Sequence, residues 1–446
     1  MSIHGKTMLP YIVRKVFEIQ HKLYQQQIRA CSTGRLQEAL KIEEEQEFPK
    51  INEIKQPEES SFYYPVDKKF KHDPDIGEQF SYSQLRVRLA GPHQLQPKPE
   101  ADDLQFGKLF TDHMFKVAYH KRLGGWQVPE IMPLENLVLH PAAKVLHYAV
   151  ELFEGMKAFR GVDGRIRLFR PEMNMARMNA SAQRSGLPTF EPEEFVKCIS
   201  RLVSIDQEWV PHTESASLYI RPTLIGIEPT LGVASSESAL LYTILSPVGG
   251  YFAGNSGTST GVSLLADPQY TRSWPGGVGD RKMGSNYAPT IHVQKEASKQ
   301  GFQQVLWLYG DDHQLTEVGT MNIFVLLIND RGERELVTPP LNGLILPGIV
   351  RHSILNLARE WNQVKVTERK ITMAEVKKLV YENRVLEMFG AGTACVVSPI
   401  ERIFYMNENL LIPTMENSDA VWRTMRNTLL DIQYGRVKHP WAIEID

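Results

Sequence analysis

At 446 residues the chain is long enough for two or three domains of ordinary size. Charged residues make up 23% and hydrophobic residues 42% of the chain, a composition typical of a soluble globular protein. The net charge of −2 gives no reason to expect nucleic acid or an anionic membrane as a partner, and no apolar run reaches the roughly 18 residues that a membrane span needs. The three cysteines, Cys31, Cys198 and Cys395, show neither a disulfide framework nor a metal-ligand spacing, so we expect a reducing compartment and no metal.

The first 34 residues differ from the rest in charge. They hold five Lys or Arg residues against one acid, Glu18. Read as a helix, they place apolar residues on one face and Lys15, Lys22 and Arg29 on the other. This pattern is typical of a mitochondrial transit peptide. We therefore expect residues 1–34 to direct the protein to the mitochondrial matrix. A surface helix of the mature protein, and a cytosolic location, are the alternatives.

Residues 35–102 form a second atypical segment. They are acidic and polar, with Glu43-Glu44-Glu45 near the start and three prolines, Pro92, Pro97 and Pro99, near the end. Because their hydrophobic periodicity is poor, we predict a mostly disordered extension.

From residue 103 the pattern becomes globular, and it predicts the α/β class in two domains. A small α+β domain (103–245) is predicted to hold strands at 109–119, 136–140, 165–169, 216–226 and 239–246 and helices at 171–186 and 191–207. The Gly- and Ser-rich stretch 246–261 reads as an interdomain linker. A larger mixed-sheet domain (262–446) is predicted to hold strands at 262–266, 303–309 and 321–329 and helices at 288–300, 348–361, 373–383 and 418–433.

One lysine and one carboxylate of the larger domain carry a chemical signal. Lys282 lies on a Gly-bounded turn, Gly-Asp-Arg-Lys-Met-Gly-Ser-Asn-Tyr (279–287), where an amine can be held out of water in its nucleophilic form. Glu317 leads into the strand-like Met-Asn-Ile-Phe-Val-Leu-Leu-Ile. A buried carboxylate near such a lysine suits the protonated pyridine nitrogen of pyridoxal phosphate.

Five further blocks carry a family resemblance. They are Leu-Phe-Glu-Gly-Met-Lys-Ala-Phe (152–159), Tyr-Ile-Arg-Pro (219–222), Glu-Val-Gly-Thr-Met-Asn (317–322), Leu-Pro-Gly-Ile-Val-Arg (346–351) and Gly-Thr-Ala-Cys (392–395). With 279–287 they resemble the branched-chain amino acid aminotransferases, which are fold-type-IV enzymes dependent on pyridoxal phosphate. The likeness extends from about Phe106 to Trp441. It implies transamination of leucine, isoleucine and valine with 2-oxoglutarate.

The resemblance also implies how the cofactor is held. Lys282 would bond to the cofactor aldehyde and move the substrate proton, and Glu317 would keep the ring nitrogen protonated. Tyr287 would hydrogen-bond the ring's phenolate oxygen. The phosphate would be bound by Arg177, by the amides of Ile349 and Val350 at a helix start, and by the Thr393 hydroxyl.

Substrate selection is expected from apolar and aromatic walls. The resemblance assigns five residues to the side-chain pocket: Phe106, Tyr148, Phe153, Tyr219 and Ala394. Thr320 and the Ala394 amide would face the α-carboxylate. We nominate Arg221 for the γ-carboxylate of glutamate and 2-oxoglutarate, with Lys157 or Tyr148 as the alternatives.

The same resemblance implies a homodimer. In it, Leu231 and Val233 would close the pocket of the neighbouring subunit, and Tyr251 in the linker would act as a gate. Where vertebrate members carry Cys-x-x-Cys, this chain has Cys395-Val-Val-Ser398, so a vicinal disulfide is not available here.

Two other functions are kept open. The fold also serves D-amino-acid transaminases and lyases of the aminodeoxychorismate type, as the resemblance implies. A non-catalytic interaction protein that inherited the fold is the third reading, although Lys282 and Glu317 are both present.

Overall fold

The computed structural model describes residues 79–249, 261–417 and 419–445. These residues all belong to one compact unit, Phe62–Asp446. The predicted transit peptide, residues 35–78 of the predicted extension, and Tyr251 lie outside the described residues. Within the described residues, no helix is long and apolar enough to cross a membrane.

Strands and helices mix along the described chain, as the predicted α/β class requires. The strands are β1 (Arg86–Val87), β2 (His113–His120), β3 (Gly125–Trp126), β4 (Glu130–Pro133), β5 (Glu151–Phe153), β6 (Met156–Arg160), β7 (Ile166–Phe169), β8 (Ser217–Gly226), β9 (Ser238–Val248), β10 (Val262–Ala266), β11 (Gln304–Tyr309), β12 (Gln314–Val318), β13 (Met321–Ile328), β14 (Arg334–Thr338), β15 (Lys365–Glu368), β16 (Val385–Gly392), β17 (Val396–Tyr405), β18 (Glu408–Leu411) and β19 (Ala442–Ile445). The helices are α1 (Lys144–Tyr148), α2 (Pro171–Ser185), α3 (Pro192–Ile205), α4 (Thr290–Lys299), α5 (Ile349–Trp361), α6 (Met373–Tyr381) and α7 (Val421–Gln433).

The first sheet is built mainly from the N-terminal half of the described chain. Its main path runs β1-β4-β2-β9-β8-β6-β7-β19, with β3 beside β2 and β5 beside β8. The long hairpin β8–β9 is antiparallel and continuous from Ser217↔Val248 to Gly226↔Ala239. Helix α3 covers this sheet because its apolar residues recur at helical spacing, and Phe195, Cys198, Ile199, Leu202 and Val203 are buried.

The second sheet closes on itself. The pairing β12-β11-β10-β17-β16-β13 returns to β12 through Glu317↔Asn322 and Val318↔Met321, which gives a six-stranded barrel. Apolar residues alternate along several of its strands, as Ile323, Val325 and Leu327 do on β13, and they fill one core. Strands β14 and β15 extend the sheet beyond β13. The tight hairpin that closes the barrel therefore fixes Glu317 beside Asn322.

Three features differ from the predictions. Residues 136–140 are not a strand: Leu134–His140 is irregular and Val138 is almost fully exposed, while the pairing with β2 is made by β4 just before it. Residues 79–102, predicted as part of the loose extension, pack on the first sheet: Phe80 is 1% exposed and meets the rings of Trp126 and Phe195. Because the segment is polar on average, its sequence does not reveal that Phe80 is buried.

Finally, β19 pairs antiparallel with β7 of the first sheet, so the last described strand of the chain belongs to that sheet.

The mixed α/β class is confirmed by this architecture. The division at 103–245 and 262–446 stays a prediction, since a third apolar cluster joins the two sheets. In that cluster Phe159 and Phe169 pack with Phe324 and Phe389.

Candidate active site

The backbone of Lys282 is held by helix α2 and by the first sheet. Its amide donates to Ser181 Oγ at 3.1 Å on α2, and its carbonyl accepts from the amide of Phe153 at 3.0 Å on β5. The next residue, Met283, forms a bridge with Leu152. The turn that carries the lysine is therefore attached to the first sheet and to α2.

The amine of Lys282 faces two aromatic rings. Its Nζ atom lies 3.4 Å from Tyr287 Oη, 5.1 Å from the centre of the Phe153 ring and 5.5 Å from the centre of the Tyr287 ring. The half-buried position limits the water that can reach the amine. This environment suits an amine that must exchange a proton and a covalent bond.

Arg177 is fixed by a buried carboxylate that the sequence analysis did not assign. Arg177 Nε and Nη2 donate to the two oxygens of Glu154 at 2.7 and 2.8 Å, and Nη1 donates to the Pro347 carbonyl at 3.1 Å. Glu154 is fully buried and also accepts from Asn174 Nδ2 at 2.8 Å. Burial alone would raise the pKa of Glu154, but the Arg177 guanidinium holds it below its ordinary value.

The start of α5 provides backbone donors beside Arg177. Gly348 is the N-cap, and no side chain caps the helix there. A Cβ atom at Gly348 would lie 2.0 Å from Asn322 Oδ1, so only glycine allows this close approach. Asn322 is itself held by donating to the Leu346 carbonyl at 2.9 Å. Arg177 and the first amides of α5 together form a cradle for an anion.

Glu317 lies behind the cavity wall. One oxygen accepts from the Leu346 amide at 2.7 Å, and the other lies 3.2 Å from Arg272 Nη2. Burial raises the pKa of Glu317 above its ordinary value, against the opposing effects of Arg272 and the Leu346 amide. Lys282 and Arg177 also act to lower this pKa, and a further cation near the carboxylate would favour its ionised form.

Another part of the cavity wall is aromatic and carries one cation, Arg221. The rings of Phe106 and Tyr219 meet edge to face, 4.9 Å apart. Arg221 Nη2 donates to Tyr219 Oη at 3.1 Å, and its guanidinium lies 4.6 Å from the centre of the Phe153 ring. Arg221 Nε is buried without a hydrogen-bond partner. Arg221 also lines the cavity, so its guanidinium can pair with an acidic ligand there.

A buried amine lies beneath the loop after β16. Lys157 Nζ donates to the Ala394 carbonyl at 2.9 Å, and burial lowers the pKa of Lys157 to about 8. Next to it, burial raises the pKa of the Cys395 thiol to about 11, so this thiol stays protonated at neutral pH. The carbonyl of Ala394 is thereby fixed at the edge of the cavity.

These groups surround one cavity of about 280 Å³. The predicted site residues that line it are Phe106, Phe153, Arg177, Tyr219, Arg221, Lys282, Tyr287, Thr320, Ile349, Val350, Thr393 and Ala394. Tyr148 and Val233 do not line it, since α1 and the loop before β9 lie elsewhere on the first sheet. Tyr251 lies outside the described residues.

A larger cleft of about 590 Å³ shares no lining residue with this cavity. It lies against Lys98, Asp112 and Trp209. Asp112 already accepts from the Gln96 amide, Lys98 Nζ and Trp209 Nε1, each within 2.9 Å. The smaller cavity is the better candidate because it joins a nucleophile to an anion cradle.

Sequence reasoning missed Glu154 and Arg272. Glu154 stands in the quoted Leu-Phe-Glu-Gly block, directly before the glycine at position 155, and could have been nominated as a partner for a buried cation. Arg272, in Tyr-Thr-Arg-Ser-Trp, carries no local pattern that marks it as buried.

Known sequences that are similar to this chain agree with the resemblance carried by its motifs. The profile of the class IV amino-transferase family matches residues 151–403. The cytosolic branched-chain-amino-acid aminotransferase of Mus musculus is 58% identical over 371 residues, which is 83% of this chain and 95% of that protein. The mitochondrial branched-chain-amino-acid aminotransferase of Mus musculus is 52% identical over 366 residues, with coverage of 82% and 92%.

Solved structures share the fold. A branched-chain aminotransferase of Thermoproteus uzoniensis with norvaline superposes with a TM-score of 0.59 at 23% identity, covering 71% of this chain and 97% of that one. The PLP-form of the branched-chain amino acid aminotransferase of Thermobaculum terrenum gives 0.57 at 19% identity, covering 74% and 98%. At such identities the likeness supports the fold alone.

Proposed function

Because the chain belongs to the class IV aminotransferases, and among them to the branched-chain-amino-acid aminotransferases, we propose that it transfers the amino group of branched-chain L-amino acids to 2-oxoglutarate. Leucine, isoleucine and valine are the donors, and branched 2-oxo acids and glutamate are the products. The observation that carries this conclusion is the 58% identity to a named branched-chain enzyme across 95% of that enzyme. The cavity around Lys282 supplies groups suited to the reaction.

The residues present fit pyridoxal phosphate. Arg177 and the uncapped start of α5, where Gly348 leaves room beside Asn322, suit a phosphate. Tyr287 offers a hydroxyl close to Lys282. Glu317 is buried with a raised pKa, and a protonated ring nitrogen would supply the added positive charge that favours its carboxylate. We therefore propose that Lys282, Tyr287, Arg177, Glu317, Ile349, Val350 and Thr393 hold this cofactor.

When bound, pyridoxal phosphate supplies an aldehyde that takes up the amino group and a ring that accepts the electron pair left on the substrate α carbon. We propose that Lys282 Nζ would move the proton between that carbon and the aldehyde carbon of the cofactor, in opposite directions in the two half-reactions. Tyr287 Oη, 3.4 Å from this amine, orients it. Phe153 and Tyr287, whose ring centres are 5.0 Å apart, exclude water beside the amine.

The aromatic wall of the cavity suits two kinds of substrate side chain. Phe106, Phe153 and Tyr219 offer apolar surface, which rewards an aliphatic side chain by about 0.8 kcal/mol per buried methylene. Arg221 lines the cavity and offers its guanidinium to the γ-carboxylate of glutamate and 2-oxoglutarate. Thr320 and Ala394 stand on the remaining side, where we place the α-carboxylate of either substrate.

A loop outside the cavity supports a homodimer. Leu231 and Val233 are 63% and 85% exposed, which is unusual for two apolar side chains so close in sequence. Tyr148 donates its hydroxyl to the Leu231 carbonyl and thereby holds the loop backbone. We propose that these tips cover the cavity of a second copy. Sedimentation of the protein, with Leu231→Ala/Val233→Ala as the comparison, tests the assembly.

The location is a separate proposal. Named relatives include cytosolic and mitochondrial enzymes. We keep the mitochondrial matrix on the basis of the basic, acid-poor residues 1–34. A fluorescent fusion that stays in the cytosol would contradict it.

The function is tested by separate half-reactions. L-Leucine, followed by 2-oxoglutarate, should remove and then restore the visible absorption of the cofactor-loaded protein, and D-alanine should do neither. Bleaching by D-alanine alone would instead assign a D-amino-acid transaminase.

A further inference from the structure

We propose that Lys144 is a positioning residue that holds the 228–236 loop (Glu228–Ser236) in the conformation that presents Leu231 and Val233. This loop joins β8 to β9. The inference rests on the proposed function, in which these two side chains cover the cavity of a second copy. Lys144 itself lies on α1 and does not line the cavity of its own chain.

Lys144 is a buried ammonium with a complete set of acceptors. Its side chain is 2% exposed, and Nζ donates to Glu228 Oε2 at 2.7 Å, to the Ser235 carbonyl at 2.8 Å and to the Ala234 carbonyl at 3.0 Å. An ammonium has three donors, so all of them are used. A buried charge survives only when it is paired and hydrogen-bonded, and Glu228 provides the opposite charge.

The three acceptors lie on both sides of the loop tip. Glu228 precedes Leu231 and Val233, whereas Ala234 and Ser235 follow them. The Lys144 ammonium therefore closes the base of the loop as a single clamp. Glu228 Oε2 also accepts from the Glu237 amide at 3.1 Å, which ties the clamp to the start of β9.

Helix α1 reaches the loop at two further points. Ala143 forms a bridge with Pro229, and the Tyr148 hydroxyl donates to the Leu231 carbonyl. On the far side, a Cβ atom at Gly186 would lie 2.7 Å from Ser235 Oγ, so the loop also packs closely on the end of α2. The loop is thus held by the 143–148 segment and by the end of α2, while the side chains of Leu231 and Val233 at its tip are exposed. An apolar contact that is fixed before binding loses less conformational entropy when it is covered.

The experiment compares Lys144→Met and Glu228→Gln with the exposed control Lys121→Met. Lys144→Met keeps the apolar stem and removes the donors. Glu228→Gln is milder, because the two carbonyl acceptors of Lys144 remain, and it serves if Lys144→Met does not fold. We expect Lys144→Met to raise the KM for leucine on the order of 10-fold, with kcat changed less than about 2-fold. Amide hydrogen exchange should accelerate across 228–238, and Lys121→Met should match the parent in both.

A double-mutant cycle separates this role from general stability. In a Leu231→Ala/Val233→Ala background, Lys144→Met should raise the KM for leucine little further, because the tip it positions is gone. The role of Lys144 alone would be overturned if Lys144→Met and Glu228→Gln both kept the parent KM. It would also be overturned if Lys144→Met raised the KM by the same factor in the parent and in the Leu231→Ala/Val233→Ala background. If the truncated tip itself left the KM at the parent value, the covering role of the loop in the proposed function would fall as well.

Discussion

Glu154 gives the sharpest structural prediction. Replacing it by Gln keeps the shape but removes the charge that pairs with Arg177 in a site where both side chains are buried. Breaking one partner of a buried pair costs about 3–5 kcal/mol, because the other charge is left uncompensated. We expect Glu154→Gln to lower the free energy of unfolding of the cofactor-free protein by about 3 kcal/mol. The matched control Glu193→Gln, on the exposed face of α3, should change it by less than about 0.5 kcal/mol.

The same change should weaken cofactor binding. Arg177 would keep at most one of its two bonds to residue 154, and misorienting one charge-assisted donor, worth about 1.5–3 kcal/mol, weakens binding by about 10- to 100-fold. Saturating pyridoxal phosphate should recover part of the lost stability, since its phosphate would pair with Arg177. Urea unfolding with and without the cofactor, together with a titration of cofactor binding, measures both effects.

The pH dependence has a defined sign. The folded pKa of Glu154 lies below its ordinary value of 4.5, so its stabilising contribution is present above that value and is lost as the pH falls through the folded pKa. The gap between the parent and Glu154→Gln should be constant near neutral pH and should close in acid. If Glu154→Gln matched Glu193→Gln in both stability and cofactor affinity, the assigned role of Glu154 would be wrong.

Three further predictions concern other buried groups. Arg221→Met should lower kcat/KM for 2-oxoglutarate on the order of 30-fold and for leucine only a few-fold, because only the acid gains from a guanidinium; equal losses would mean that Arg221 supports the strand instead. Lys157→Met should remove a rise in stability between pH 8 and 10.5, where the unfolded lysine holds a proton that the folded one has lost. That rise amounts to about 3 kcal/mol. Urea unfolding of both proteins measures it. If the difference in free energy of unfolding between the parent and Lys157→Met stayed constant from pH 8 to 10.5, the prediction would be wrong. Glu387→Ala should cost about 1–2 kcal/mol, since its carboxylate accepts from the Val421 and Trp422 amides at the start of α7; an unfolding midpoint equal to that of Glu193→Gln would speak against this cap.

Local patterns predicted the long elements of the fold. Helix α3 has apolar residues with a period of about 3.6, and strand β8 contains β-branched residues. Both elements are predicted to within two residues of their observed ends. The strand predicted at 136–140 was wrong because its apolar residues have no partner strand, and pairing is a property of the tertiary structure. The return of β19 to the first sheet depends on contacts that no local pattern encodes.

The candidate site divides in the same way. Arg177, Lys282 and Tyr287 were named from motifs, and the structure brings all three to one cavity. Their roles stay proposals. Arg272 and Glu154 escaped notice because their importance lies in a buried partner far away in sequence, 45 and 23 residues from Glu317 and Arg177 respectively. The clamp of Lys144 on Glu228 is of the same kind, 84 residues apart.

Lys282 is proposed to perform the chemistry of leucine transamination. The most direct measurement is the initial rate of glutamate formation from L-leucine and 2-oxoglutarate by Lys282→Ala, with Lys295→Ala as an exposed-lysine control. Loss of a proton-transferring group lowers rates by about 100- to 10,000-fold, so we expect at least the lower of these losses for Lys282→Ala and the parent rate for the control. A Lys282→Ala protein that turned over leucine at the parent rate would show that Lys282 does not perform this chemistry.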